Sequence, residues 1–468
     1  MGLLTVSALL PSHWKRKLVD LNVEKLRDND LAWADVAFLS AMLVQGPSLS
    51  TLIARCRAAG LRTVVGGPIT SAGNPSWQEA DHVVRGEGET VVEELAADLE
   101  AGKARPLYEA AGRADMTRVP PPDLGLVRLG RYSTMPFQYS RGCPFSCEFC
   151  DIIELFGRTP RTKTAEQVLE EFDQLHRIGW RGSVFVVDDN FVGNKPAIKA
   201  LLPRVEEWMR AHGNPFSLFT QASINLAEDD ELLSLMHAAR FNKVFVGIET
   251  PLKECNRAAG KLQNVKADLL ESVRRIQEHG MEVMGGFIVG FDQDPPEIFE
   301  KQIAFIKEAA IPVSMVGVLT ALPNTRLWRR LSAEGRILRQ SMGDNTAALL
   351  NFIPKMDPEA LLAGYRKVIA SIYSPKAYFE RAQAMLGRLG AMPRPRLVFA
   401  DLLALSRSFI RQGIIARYRF AYWRFLGKTV LRTPRHLGLA VTLAIMGHHF
   451  FTLSRRMKPG FRGRDVVA

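Results

Sequence analysis

Residues 137–150 read FQYSRGCPFSCEFC, an apolar run that passes into Cys143, Cys147 and Cys150, three cysteines within eight positions. Three thiolates on one short loop can hold three irons of a 4Fe-4S cluster and leave the fourth iron open to another ligand. A zinc ion is the competing reading, and it would want a fourth nitrogen or sulfur ligand. No histidine lies between His82 and His176, and Asp151 is a poor substitute. Three inert thiols are the remaining reading. Only Cys56 and Cys255 stand elsewhere, so the five cysteines are no disulfide framework for 468 residues, and a reducing cytoplasm is the expected setting.

FQYSRGC is the first of six strand patterns. SVFVVDDN (183–190), FSLFTQASI (216–224), KVFVGIET (243–250), EVMGGFIVGF (282–291) and PVSMVGVLTAL (312–322) follow, with amphipathic helices such as TAEQVLEEFDQLHRIG and DLLESVRRIQEHG between them. Six βα units predict a parallel barrel, complete or open, over residues 137–335. Chemistry in such barrels sits at the C-terminal strand ends. Those ends carry Asp188, Asp189 and Asn190, then Gln221 and Ser223, then Glu249, then Gly286 and Gly290. Taken singly, such carboxylates and amides also cap helices.

Upstream, residues 1–110 show a second α/β alternation. KRKLVDLN (15–22), ADVAFLSA (34–41), RTVVGGP (62–68) and ADHVVRGEGE (80–89) read as strands, and SLSTLIARCRAAG and TVVEELAADLEAG as helices. This is a doubly wound pattern, which binds ligands at the C-terminal edge of its sheet. Ser40, Gly66, Gly67, Gly86 and Glu87 fall at that edge, where glycines serve either a close-lying ligand or a turn. Residues 1–10 read as a helix, whereas such a sheet normally opens with a strand, so the first strand is expected to be missing. A Pro-rich linker, 111–136, separates the two alternations. Residues 336–390 read as a helical extension and 391–468 as a basic tail.

The net charge of +12 resides in that tail, which holds 15 Lys and Arg against Asp401 and Asp465 and leaves residues 1–390 at −1. A duplex-binding enzyme would place its basic stripe on the folded body, so no nucleic-acid partner is expected.

With RGCPFSCEFCDIIELFGRTPRTKT, VVDDNFVGN, VGIETP, GFIVGFD and ALPNTRL, the chain resembles the cobalamin-dependent radical S-adenosylmethionine enzymes, in the branch containing hopanoid C-2 methylase. The resemblance implies a 4Fe-4S cluster on Cys143, Cys147 and Cys150 whose open iron chelates S-adenosylmethionine. It further implies reductive cleavage to a 5′-deoxyadenosyl radical that takes hydrogen from an unactivated carbon. Contacts to S-adenosylmethionine would come from Asp188, Asp189 and Asn190, where the family usually has a Gly-Gly-Glu-like segment, and from Gln221 and Ser223. Glu249 would accept a ribose hydroxyl, and Gly286 and Gly290 would frame the adenine. Ser40, Gly66, Gly67, Gly86 and Glu87 would line a cobalamin site, although the His-containing cobalamin motif of the mutases is not seen. The implied reaction is methylation of a lipid or other small molecule, with a flavodoxin or ferredoxin as electron donor. Cyclisation or rearrangement with the same cofactors, or a non-catalytic sensor, are the alternatives. A methylthiotransferase would need more cysteines in the N-terminal unit than Cys56 alone.

In the tail, HLGLAVTLAIMGHHFFTLS (436–454) lies between Arg435 and Arg455, after the basic aromatic segment RSFIRQGIIARYRFAYWRFLGK (407–428). Three readings are open: a helix at a membrane interface, a helix packed on the barrel, or a marginal span. The first predicts peripheral attachment to the inner face of the cytoplasmic membrane.

Overall fold

The computed structural model describes residues 1–456 apart from 72, 74, 345, 347, 348 and 393–398. It contains two compact units, residues 1–216 with 320–344, and residues 217–319 with the chain from 345 onward. The tail cations Arg394, Arg396, Lys458, Arg462 and Arg464 lie outside the described residues.

The first unit opens on a parallel sheet of β1 (Val36–Ser40), β2 (Arg62–Gly66), β3 (His82–Arg85) and β4 (Leu107–Glu109), arranged in that order. Val64 and Val65 alternate across β2, so each face of the sheet has its own core. Leu49 and Ile53 of helix Gly46–Ala58 pack with Val65 and Ile69 on one face, and Leu95 and Leu99 of helix Val92–Glu100 pack with Val64 and Val84 on the other. Residues Gly2–Leu9 form the expected helix, with Val6 and Leu9 against the second of these cores.

KRKLVDLN corrects the sequence reading, because residues 15–20 form no strand. β1 pairs with β2 and is the edge of its sheet, so this apolar run has no partner edge beside it. β4, only three residues long, was too short to read as a pattern.

FQYSRGC divides in two. Residues 134–137 form β5 (Thr134–Phe137), and Ser140–Arg141 form β6, which pairs antiparallel with β7 (Arg161–Thr162) across the cysteine loop. β5 runs parallel to β8 (Gly182–Val186). Helix Ala165–Arg177 starts where Thr164 Oγ1 accepts from Gln167 N and Gln167 Oε1 accepts from Thr164 N, a reciprocal cap. Its Phe172 meets Phe137, Trp208 and Phe216 edge-on, at ring distances of 5.2, 5.4 and 5.6 Å.

The remaining barrel-type strands are β9 (Phe216–Ala222), β10 (Phe241–Glu249), β11 (Glu282–Val289) and β12 (Ser314–Val318). The strand order of this sheet is β12-β11-β10-β9-β8-β5, an open rather than closed array. Val244, Val246, Ile248, Val283 and Val289 are wholly buried, as strands covered on both faces require.

In the second unit, helices Pro375–Arg388, Arg419–Arg432 and Leu437–Arg456 pack together. Tyr378 Oη donates to the Leu443 carbonyl at 2.7 Å, and the Phe451 ring meets those of Tyr378, Phe379 and Tyr418. Pro434–Arg455 is long and apolar enough to cross a membrane, but Ala440, Leu443, Ala444 and Phe451 are core residues. The helix packs with its C-terminal neighbours, and about a third of it is buried.

Candidate functional site

The cysteine loop is fastened at both ends. Gly142 sits at φ +96°, and a Cβ there would come within 2.9 Å of the Gly157 and Thr159 carbonyls, so the loop can close only on glycine. Cys143 N donates to the Gly157 carbonyl at 3.1 Å, and Cys150 N to the Cys147 carbonyl at 3.3 Å. Asp188, wholly buried, accepts from Tyr139 N and Ser140 N at 2.8 Å and from Ser140 Oγ at 2.6 Å. Both its oxygens are thus committed to the chain that leads into the cysteines, which makes Asp188 a loop fastener rather than a cofactor contact. Burial pushes its carboxyl up to about 6 against those hydrogen bonds. Asp189 is pushed up to about 7, first by burial and then by the Asp188 and Asp151 charges, and it receives the Gly142 amide at 3.4 Å. Asn190 Nδ2 lies 3.7 Å from Cys143 Sγ.

The donor set of this loop, three thiols within eight residues with no histidine between His82 and His176, fits the three-cysteine ligation of an open 4Fe-4S cluster. Burial raises the Cys150 thiol, and the neighbouring Asp151, Cys147 and Cys143 add to that rise.

A buried ion cluster behind the loop escaped the sequence reading. Arg161 Nη2 donates to Glu87 Oε1 at 2.6 Å, and Arg141 Nη1 to Glu87 Oε2 at 2.9 Å. Arg141 Nη2 reaches Glu89 at 2.5 Å, and Ala114 N also donates to Glu87. Glu87 thus ties the arginines that flank the cysteine loop to the first sheet, and it also lines the cavity at that sheet's edge described next. Glu148, inside the loop, is gripped by Arg330 at 2.9 Å, and its carbonyl accepts from Leu327 N at 2.8 Å. ALPNTRL thus serves the loop from 180 residues away, Thr325 Oγ1 capping helix Arg326–Ala333 by accepting from Trp328 N.

Ser40, Gly66, Gly67 and Gly86 do come together, around a cavity of about 250 Å³ at the C-terminal edge of the four-stranded sheet. Gly67 and Gly86 have φ of +89° and +86°, and a Cβ on either would strike Ser40 Oγ or Ala110 Cβ. This volume takes an arm of a large cofactor, not the whole of one.

In the second unit, Glu249 ends β10 at φ +61°, a left-handed conformation rare outside glycine, beyond an irregular register at Gly247. Its carboxylate pairs with Lys261 over the bare Cα of Gly247. Gln221 is half-buried on β9, and Ser223 Oγ bonds Asn225 Oδ1 at 2.5 Å. Gly286 leaves room for the Phe245 ring and Gly290 for Leu361, so the space each opens is filled by a side chain of the same unit. Asp294 accepts from Gly290 N and Phe291 N at 2.7 and 3.0 Å and from Cys255 Sγ at 3.3 Å, which gives Cys255 a structural partner.

Residues 137–306 match the model of the radical SAM superfamily, and residues 325–462 that of a domain of unknown function (DUF4070). An uncharacterized methyltransferase of Synechocystis is 39% identical, over all of this chain and 89% of the relative. The hopanoid C-2 methylase of Rhodopseudomonas palustris is 35% identical, over 98% of this chain and 88% of the relative. The chain belongs to the radical S-adenosylmethionine methyltransferases, in the branch of hopanoid C-2 methylase. Its fold agrees with other solved radical S-adenosylmethionine proteins. The methyltransferase TsrM from Kitasatospora setae, solved with cobalamin and a [4Fe-4S] cluster, superposes with a TM-score of 0.61 at 15% identity over 90% of each chain. The cobalamin-dependent enzyme OxsB gives 0.58 at 15% identity, over 92% of this chain and 72% of its own. As a radical S-adenosylmethionine enzyme the protein uses a 4Fe-4S cluster and S-adenosylmethionine, and it requires an electron donor and a small-molecule substrate.

Proposed function

We propose that this enzyme methylates an unactivated carbon of a lipid in a cobalamin-dependent reaction. The observation that carries the class of chemistry is the cysteine loop: three thiols within eight residues, fastened by Asp188, Glu87 and Glu148. Cys143, Cys147 and Cys150 would hold the cluster. When bound, the cluster and S-adenosylmethionine supply the 5′-deoxyadenosyl radical, and cobalamin supplies the methyl group. Asn190 orients the Cys143 sulfur, while Asp189, Gln221, Ser223 and Glu249 remain the candidate contacts to S-adenosylmethionine. Glu249 would have to exchange Lys261 for a ribose hydroxyl. Ser40, Gly66, Gly67 and Gly86 would take an arm of cobalamin in the cavity at the sheet edge.

A lipid substrate is supported by the outer surface of the C-terminal helices. Ile415, Phe420 and Leu431 are 68, 75 and 84% exposed, with Ile410, Ile414 and Val430 also exposed around them. Arg411, Arg417, Arg419, Arg424, Lys428 and Arg432 are interleaved, and residues 403–456 contain no Asp or Glu. Apolar tips among cations suit an anionic bilayer surface. The test is anaerobic incubation of the reduced, cobalamin-loaded enzyme with methyl-labelled S-adenosylmethionine and a lipid extract, in which label is expected in a lipid. Label confined to water-soluble products would reject the lipid substrate.

A further inference from the structure

An electron must reach the cluster from outside the protein, and tunnelling weakens exponentially with distance, so a carrier has to meet the chain where the cysteine loop comes to the surface. Pro144, Phe145 and Ser146, between the first two cysteines, are half-buried, as are Cys143 and Cys150. The loop therefore has an outer face.

Arginines surround this loop in two layers that differ in how their charge is met. Behind it, Arg141 and Arg161 are neutralised by Glu87 and Glu89, and Arg330 is neutralised by Glu148. In front, Arg158 and Arg326 are exposed, and each hands one N–H to a loop carbonyl, Arg158 Nη2 to that of Pro144 and Arg326 Nη1 to that of Ser146, both at 3.2 Å. Among the described residues neither has a carboxylate partner. A guanidinium carries five donors, so most of each fork and its whole charge are left for another molecule. Clipping a carbonyl needs no cation, since an amide or a hydroxyl donates as well.

The charge excess is local. Arg329, one helical turn beyond Arg326, is paired with Glu154 at 2.7 Å. From 325 to 339 the chain carries Arg326, Arg329, Arg330, Arg336 and Arg339 against Glu334, in a body whose residues 1–390 sum to −1.

We infer that the exposed face made by Arg158 and Arg326 over the cysteine loop is the docking site for a small acidic electron-carrier protein of the flavodoxin kind. One electron leaves the reduced carrier and enters the cluster; the carrier is oxidised by one electron, the cluster is reduced by one, and no bond is made or broken. Electron-transfer contacts are small, which lets the spent carrier leave. In so small a contact a few charges without partners set the approach and the orientation. The carbonyl clips hold those two charges on the loop itself, so a carrier drawn to them stands over the cluster. The inference rests on the cluster and not on the lipid substrate proposed above, which the binding measurement does not involve.

The test titrates oxidised bacterial flavodoxin into the full reconstituted chain by calorimetry, with iron measured on every sample. Binding is expected at low salt and should weaken as salt rises. Arg158→Glu with Arg326→Glu should weaken it about tenfold. Arg204→Glu with Arg210→Glu makes the same change in net charge on helix Lys195–Ala211 and should leave binding as in the wild type. Arg158→Gln with Arg326→Gln keeps an N–H for each carbonyl and removes only the charge, so it too should weaken binding. In turnover, 5′-deoxyadenosine formation driven by reduced flavodoxin should fall by a larger factor than formation driven by dithionite. The inference is overturned if the wild type does not bind flavodoxin or binds it regardless of salt, if the Gln pair binds as the wild type does, if the Arg204 and Arg210 pair weakens binding equally, or if both rates fall by one factor. Iron loss in both the Glu and the Gln pairs would make these arginines loop supports and overturn it as well. Loss of binding to anionic vesicles in the Glu pair, with flavodoxin binding retained, would give the face to a membrane instead.

Discussion

Arg161 Nη2 lies 2.6 Å from Glu87 Oε1, with 5% of the glutamate side chain exposed, so one ion pair joins the sheet of the first 110 residues to the base of the cysteine loop. Removing one partner of such a pair leaves a buried charge alone. Glu87→Ala is expected to cost about 3–5 kcal/mol of stability in denaturant unfolding, against about 0–1 kcal/mol for Glu109→Ala at the exposed Arg85 bridge. Equal, small effects would show that the cluster does not hold the loop.

Asp188 tests the loop itself. Asp188→Ala strips acceptors from two buried amides and a hydroxyl, each worth about 1–3 kcal/mol when left unpaired. Iron bound after anaerobic reconstitution should fall well below wild type, while Ser140→Ala, which removes one of the three donors, should retain most of it. A wild-type iron content in Asp188→Ala would refute the fastening role.

Two tail histidines set a pH dependence. Burial, followed by the charge of Arg435, holds His436 below its ordinary 6.5, and burial, followed by Arg411, Arg455 and His449, does the same for His448. A histidine depressed in the folded state stabilises it above the unfolded value and loses that contribution as pH falls through the folded value. Melting temperature should therefore drop as pH goes below 6.5, and His436→Phe with His448→Phe should flatten the drop. An unchanged slope in the double variant would refute the assignment.

The exposed tips of the tail provide a separate check. Phe420→Ser with Leu431→Ser should weaken binding to anionic vesicles while leaving iron content and S-adenosylmethionine cleavage intact, and binding of the wild type should weaken with salt. Unchanged vesicle binding in the double variant would remove the support for a lipid surface.

The barrel strands and the cysteine loop were legible because periodicity and spacing are local properties. The Glu87 cluster was not, since its arginines lie 54 and 74 residues away and nothing in RGEGE announces them. Gly286 misled for a related reason: a bare Cα signals close approach without saying by what, and here it is the Phe245 ring. KRKLVDLN carries a strand's composition but no strand, because strand formation is decided by a neighbouring edge, which is a tertiary property. The tail's apolar helix matches a membrane segment in composition, and its contacts with Tyr378 and Phe379 are tertiary and could not be read from that composition.

The central claim is radical methylation driven from the three-cysteine loop, and its most direct measurement pairs two products in one vessel. Reduced, reconstituted enzyme with cobalamin, methyl-labelled S-adenosylmethionine and lipid should form 5′-deoxyadenosine together with labelled lipid, and Cys143→Ala, Cys147→Ala and Cys150→Ala should each abolish both along with the iron absorbance. Labelled lipid formed undiminished by any of the three variants would contradict the account.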